Sequence, residues 1–318
     1  MKERIIDVHT HCGIDYCNFY RGRYPLGLSA VQLSEISQSN GIDYIVTFPM
    51  SQTIYYDQYF FSRERKLLKT NNDACMFPFY LENEYLISEI NHFEFNNIIP
   101  FCSFSLHEEV ERQIEYLWNK VENGKIFGLK YHPFYDSENI MKIEKYPEFV
   151  ELIEKFDLPL ICHSGADVNS NPNWALKFAE NHPAVRVNIA HMAGFNRRIE
   201  ISKQKCEKNV YYDISPCYSM CERMNGNIDD SIIKINFSNP KDVFEYAYEM
   251  FPDNLLWGTD YPWTYSAKLL RDNKTYYSYT NEVELLKKMG TQIVNKVAWK
   301  NVISFLGPRV VESFKMEN

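Results

Sequence analysis

Eight short apolar runs, each followed by a stretch of helical periodicity, divide this chain from end to end and leave it few architectures. The runs are Ile5–His11, Tyr44–Pro49, Ile98–Phe104, Ile126–His132, Pro159–Gly165, Val185–Met192, Val210–Ser215 and Leu255–Trp263. Ser29 caps a helix over Val31–Ile36 that Gly41 ends, and Glu108–Asn123 spaces Val110, Ile114, Leu117 and Val121 at helical intervals. Pro147–Phe156, Trp174–Asn181, Asn196–Lys208 and Lys241–Phe251 read as further helices, and Glu282–Leu306 as two, broken near Gly290. Strand alternating with helix predicts a parallel sheet with crossover helices. Eight such units close a barrel, so the expected fold is α/β, a (β/α)8 TIM barrel.

Repeats and linkers are absent from the sequence, so residues 1–318 read as one domain. The Tyr/Phe-rich stretch Ser51–Asn97, with a helix around Glu84–Phe95, is too long for an ordinary strand-to-helix loop. It is expected to be a lid insertion over the barrel mouth, with Met220–Asn239 as a second lid.

The composition excludes several function classes. A net charge of −8 argues against a binder of nucleic-acid backbone, and no segment approaches the ~20 apolar residues of a membrane span. The eight Cys are scattered without a CxxC pair, which suits reduced thiols. Met1-Lys2-Glu3-Arg4 leads into the first strand without a signal peptide's apolar core, so a cytoplasmic protein is expected.

Barrels of this type place their chemistry at the C-terminal ends of the strands. His9 and His11 stand there on the first, two residues apart and so on one face. The fourth strand brings Lys130 and His132, the fifth His163, the sixth His191 and the eighth Asp260. Five of the eight histidines thus occupy strand ends, whereas His92, His107 and His182 read as surface residues. Neutral imidazoles with a carboxylate suit a borderline divalent ion such as Zn²⁺. Asp7 is set apart from the histidine face as a structural acceptor or cap. Asp213 is either the partner of a ligand or a buried structural acceptor. Cys12, Cys102 and Cys162 read as buried thiols, and Arg21, Arg23 and Arg63 as solvated loop residues.

The ordered motifs HxH, GLKYHP, CHSG, AHM and WGTDYPW resemble the metal-dependent amidohydrolase superfamily. Within it they are most similar to the amidohydrolase-related branch that contains aminocarboxymuconate-semialdehyde decarboxylase. The resemblance runs from Ile5 to about Leu306. It implies His9, His11, His163 and Asp260 as ligands of one divalent ion, with Asp260 and His191 catalytic. In binuclear members a carboxylated strand-four lysine bridges two ions, and His163 and His191 then bind the second. The GLKYHP context is closer to the mononuclear branch. A native Lys130, with His132 and Trp263, would then bind substrate, the ammonium suiting a carboxylate.

The expected activity is hydrolysis of a small-molecule amide, ester or lactone by a metal-activated water. The alternative is non-oxidative decarboxylation of an aromatic or unsaturated carboxylate on the same site. A third reading, a barrel that has lost catalysis and serves as a binding or regulatory subunit, is opposed by the intact ligand positions. The partner is a small molecule, with no nucleic acid and no membrane, and homodimers are common in the resembling group.

Overall fold

A computed structural model describes residues 4–16, 27–194, 208–224, 237–263 and 279–316. Its nine strands are β1 (Ile6–Ile14), β2 (Gly27–Leu28), β3 (Tyr44–Pro49), β4 (Ile98–Phe104), β5 (Gly128–Tyr131), β6 (Leu160–Cys162), β7 (Val187–Ile189), β8 (Val210–Asp213) and β9 (Leu255–Leu256). They form one sheet in the order β2-β1-β3-β4-β5-β6-β7-β8-β9. All adjacent pairs are parallel except β1 with β2, a two-residue antiparallel addition that periodicity had no means to reveal. The sheet curls until its ends meet: Val8 N–H donates to Trp257 O over 3.2 Å, and His11 N–H to Tyr261 O over 2.8 Å. The eight parallel strands are the eight expected, and the fold is the expected α/β barrel.

Each strand alternates between two cores. Ile6, Val8, Val46, Phe48, Ile99, Phe101, Ile161 and Tyr211 fill the inside of the barrel. Ile45, Ile98, Cys102, Leu129, Leu160 and Val187 face outward under the helices. A strand buried on both faces reads as a continuous apolar run, which explains why the strands were legible. The C-terminal helices cover the N-terminal ends of the strands, with Trp299 and Phe314 against Tyr44 at the start of β3. The opposite, C-terminal end is left for chemistry.

Local signals set the helix boundaries. Ser29 and Gln32 form a reciprocal capping box at the start of Ala30–Ser39. Gly290, at φ 83°, separates Tyr279–Lys287 from the turns that run on to Leu306. The sequence placed another helix at Asn196–Lys208, but residues 196–207 lie outside the described residues, as do Arg21 and Arg23.

Part of the expected lid is barrel. Tyr80–Phe93 is the crossover helix between β3 and β4, its Asn83 side chain bonded to both N–H and C=O of Ser103. The segment from Ser51 to Phe79 is the excess over an ordinary connection, and it contains the short helix Gln58–Glu64. Arg63 is exposed in that helix rather than in a loop. Among the described residues, no helix is long and apolar enough to cross a membrane.

Candidate metal centre and active site

One extra residue in β1 shapes the site. The pairing of β1 with β3 shifts between Asp7 and Thr10, a β-bulge that breaks strict alternation. Asp7 therefore pairs beside outward-facing Ile45, while His11 pairs with inward-facing Phe48.

His9 is fully buried, and its Nδ1–H donates to Asp213 Oδ2 over 3.0 Å. A carboxylate can only accept, so His9 Nε2 carries the lone pair. Burial, reinforced by the charge of Lys130, pushes the His9 pKa down to about 3 against the pull of Asp213 and Asp260. His11 is held the same way, its Nδ1–H donating to the Pro49 carbonyl over 3.1 Å. Burial lowers its pKa too, so both rings are neutral.

Both Nε2 atoms face Asp260 Oδ1, at 3.4 Å from His9 and 3.2 Å from His11. Burial works to raise the Asp260 pKa, yet the group is held below the usual carboxylate range. Two lone pairs and a carboxylate oxygen at such separations repel one another, and Lys130 Nζ, 3.2 Å from His9 Nε2, offsets this at His9 alone. Their donor atoms lie within 4.8 Å of one another, and the donor set, two imidazoles and a carboxylate, is one that a borderline divalent ion prefers. The residues fit a metal.

Lys130 Nζ donates to His9 Nε2 over 3.2 Å and lies 4.7 Å from the centre of the Phe48 ring. Burial lowers its pKa to about 8, with Asp213 and Asp260 pulling upward, so the ammonium prevails at neutral pH. The amine is fully enclosed at the base of the site.

His163 and His191 form a second pair beside the first. His191 Nδ1–H donates to Ser215 O over 2.7 Å, so His191 Nε2 accepts from His163 Nδ1–H over 3.0 Å. That sequence of bonds leaves the lone pair of His163 on Nε2. His163 stacks on His132 at 3.8 Å with 15° between the planes, and burial lowers both pKa values far below the usual range. His163 is not part of the His9–His11–Asp260 donor group, which it adjoins through His191, whose ring centre is 5.0 Å from that of His9. His132 lies just past β5, capping the short helix Pro133–Asp136. Its buried Nδ1 has no hydrogen-bond partner among the described residues.

The backbone is strained at these positions. His191, Met192 and Ala193 have φ of 58°, 48° and 55°, and Asp260 has 56°. Non-glycine residues in this region cost on the order of 1–3 kcal/mol each and persist only when their surroundings fix them.

The groups open into a cavity of about 410 Å³ at the C-terminal mouth of the barrel. His11, Lys130, His132, His163, His191 and Asp260 line its polar side. Phe134, Tyr135, Met220 and Trp263 are among the residues of the opposite wall, and Ser51 reaches it from the segment after β3. Every site residue expected from the sequence except His9, which lies beneath the floor, lines this cavity.

Asp213 is the hydrogen-bond partner of His9. Besides His9 it accepts from Asn188 Nδ2 at 2.7 Å, from Ser215 N–H and from His191 N–H. Sequence reasoning missed Asn188, Ser215 and the Pro49 carbonyl. Asn188 carried a usable signal, a polar residue within the apolar strand Val187-Asn188-Ile189, whereas backbone acceptors carry none. Burial pushes the Cys162 thiol up to about 12 and raises those of Cys12 and Cys102, so these thiols are inert packing. All six described cysteines are free and buried.

Comparison with known proteins gives concordant findings. The amidohydrolase family profile matches residues 6–307. A search of curated proteins finds no match. Among solved structures, the fold is similar to that of an amidohydrolase from Burkholderia multivorans with bound zinc, at 12% identity and TM-score 0.60, covering 95% of this chain and 99% of that one. It is similar to 4-oxalomesaconate hydratase from Rhodopseudomonas palustris, at 14% identity and TM-score 0.61, covering 98% of each chain. A dihydroxybenzoic acid decarboxylase from Polaromonas, with bound manganese and 2-nitroresorcinol, matches at 11% identity and TM-score 0.59, covering 100% of this chain and 98% of that one.

Proposed function

The chain is an enzyme of the amidohydrolase family, and from that premise we propose a metal-dependent hydrolase of a small ester, amide or lactone that carries a carboxylate. The observation that carries the reading is the convergence of two histidine lone pairs on the ionised Asp260. His9, His11 and Asp260 would hold one divalent ion, zinc by the softness of the donors, with His163 Nε2 as the further ligand. Zinc or manganese in the similar structures supports a divalent ion. When bound, the ion supplies Lewis acidity to a carbonyl oxygen and to water.

The chain's own residues do the rest. Asp260, held ionised, accepts the proton of the attacking water. His191, fixed by Ser215, holds the nucleophile or the substrate oxygen. Lys130 binds the substrate carboxylate, His132 offers it the unpartnered Nδ1, and Trp263 walls the pocket. The segment around Ser51 and the helix Cys217–Met224, which bears Met220, act as lids over this one-domain barrel.

Lys130 also favours a second reading, decarboxylation of an aromatic or unsaturated carboxylate. An enclosed ammonium beside aromatic walls suits such an acid, and the Polaromonas neighbour is a decarboxylase.

The test is a panel of carboxylate-bearing lactones, esters and amides, together with aromatic and unsaturated acids, assayed in ¹⁸O-water. Hydrolysis places ¹⁸O in the product without releasing CO2, whereas decarboxylation releases CO2. Turnover that survives complete removal of metal overturns both readings.

A further inference from the structure

We infer that Asp7 is a positioning residue for the metal centre, setting the Asp260 carboxylate against His9 and His11 by pinning Thr259 across the seam where the barrel closes. The inference rests on the metal-site reading above. The two halves of the donor set stand on opposite sides of that seam: His9 and His11 on β1, and Asp260 on the segment after β9. Asp7 is fully buried and touches none of the donors' ligating atoms. Its carboxylate instead accepts from His9 N–H at 3.2 Å on its own strand, and from Thr259 N–H at 3.0 Å and Thr259 Oγ1–H at 2.7 Å across the seam.

Thr259 Oγ1 in turn accepts from Tyr261 N–H at 3.1 Å, so both neighbours of Asp260 are fixed. Asp260 N–H donates to His9 O over 2.7 Å. Between those anchors Asp260 is held left-handed, a conformation that its own backbone does not favour. Gly258 allows the close approach that this needs, since a Cβ there would lie 2.8 Å from His9 Cβ. In Asp7→Asn, Oδ1 can still accept from both amides, but the oxygen facing Thr259 Oγ1 becomes an NH2 group, so that cross-seam bond reverses and the hydroxyl proton loses its acceptor.

The experiment measures Zn²⁺ affinity of the full chain by competition with a chromogenic chelator. Asp7→Asn and Thr259→Val are each expected to weaken Zn²⁺ binding by about 10–100-fold, with the double variant little worse than either. Asp136→Asn is the control, since Asp136 is equally enclosed but bonds Leu106 N–H and Tyr131 OH away from the donors. It is expected to lower the melting temperature without moving Zn²⁺ affinity. Wild-type affinity in Asp7→Asn and Thr259→Val, or an equal loss in Asp136→Asn, overturns the inference and leaves the metal site standing. Failure of the wild-type chain to bind Zn²⁺ overturns the metal reading itself. If Asp7→Asn does not fold, Thr259→Val decides.

Discussion

Asp213 Oδ2 lies 3.0 Å from His9 Nδ1, and both side chains are completely shielded from solvent. This bond selects the tautomer that turns His9 Nε2 toward Asp260. Carboxylate partners of this kind raise the basicity of a ligating imidazole and fix its orientation. Asp213→Ala is therefore expected to lower metal affinity by about 10–100-fold, as measured by chelator competition. Unchanged affinity would show that the ring is held by packing alone.

Metal stoichiometry tests the donor assignment. Elemental analysis is expected to give a ratio near one, since the two possible donor groups, His9–His11–Asp260 and His9–His191–Asp213, share His9. His163→Ala and Asp260→Asn should each lose bound metal or turnover. A ratio of two would instead place a carboxylated Lys130 between two ions.

Lys130→Met removes the enclosed charge while keeping a similar stem. Its expected effect is a rise in KM for carboxylate-bearing substrates of at least tenfold, on the order of 1.4 kcal/mol. Esters that lack a carboxylate should be affected much less. Equal losses for both classes would count against a carboxylate contact.

A pH effect is expected away from the metal site. Part of Glu82 reaches solvent, but its carboxyl group is enclosed, where it accepts from Ile54 N–H at 2.7 Å and from Thr53 Oγ1. Burial raises its pKa to about 7 against those bonds. The folded chain therefore holds this proton more tightly than the unfolded chain does. The stability cost is absent below about pH 4, grows as pH rises toward 7, and is then constant at about 3 kcal/mol. Glu82→Gln removes the ionisation, so its stability relative to wild type should rise across that window. Denaturant titrations at pH 4 and pH 8 check this, and a pH-independent difference would refute it.

Phe61 fastens the segment after β3 to the cavity wall. It is buried, with its ring 6.1 Å from that of Phe134 and 5.7 Å from that of Tyr135. Phe61→Ala should cost about 3–5 kcal/mol if the void does not collapse. KM should also rise, because Phe134 and Tyr135 line the pocket. Unfolding and steady-state kinetics on the same variant separate the two effects.

The sequence revealed the barrel because each strand is apolar on both faces and the intervening helices keep their periodicity. It revealed most of the site because the side chains that matter stand at strand ends. What escaped it was set by backbone geometry. The bulge in β1 leaves no composition signal, yet it is what sets Asp7, read from the sequence as a structural acceptor, apart from the histidines. Ser215 and Pro49 act through carbonyl oxygens, which any residue could supply. The lid boundary at Asn97 overshot because Tyr80–Phe93 is as rich in rings as the excess segment before it, although Asn83 ties it to β4.

His11 and Asp260, which meet at 3.2 Å, are 249 residues apart in the chain. Their meeting needs a loop closure spanning most of the chain, which comes only when the last strand docks on the first. A nascent or truncated chain that lacks the final strand cannot assemble the donor set, however well its earlier units have formed. Metal uptake during refolding would therefore act as a clock for completion of the circle, starting only when the first and last strands join.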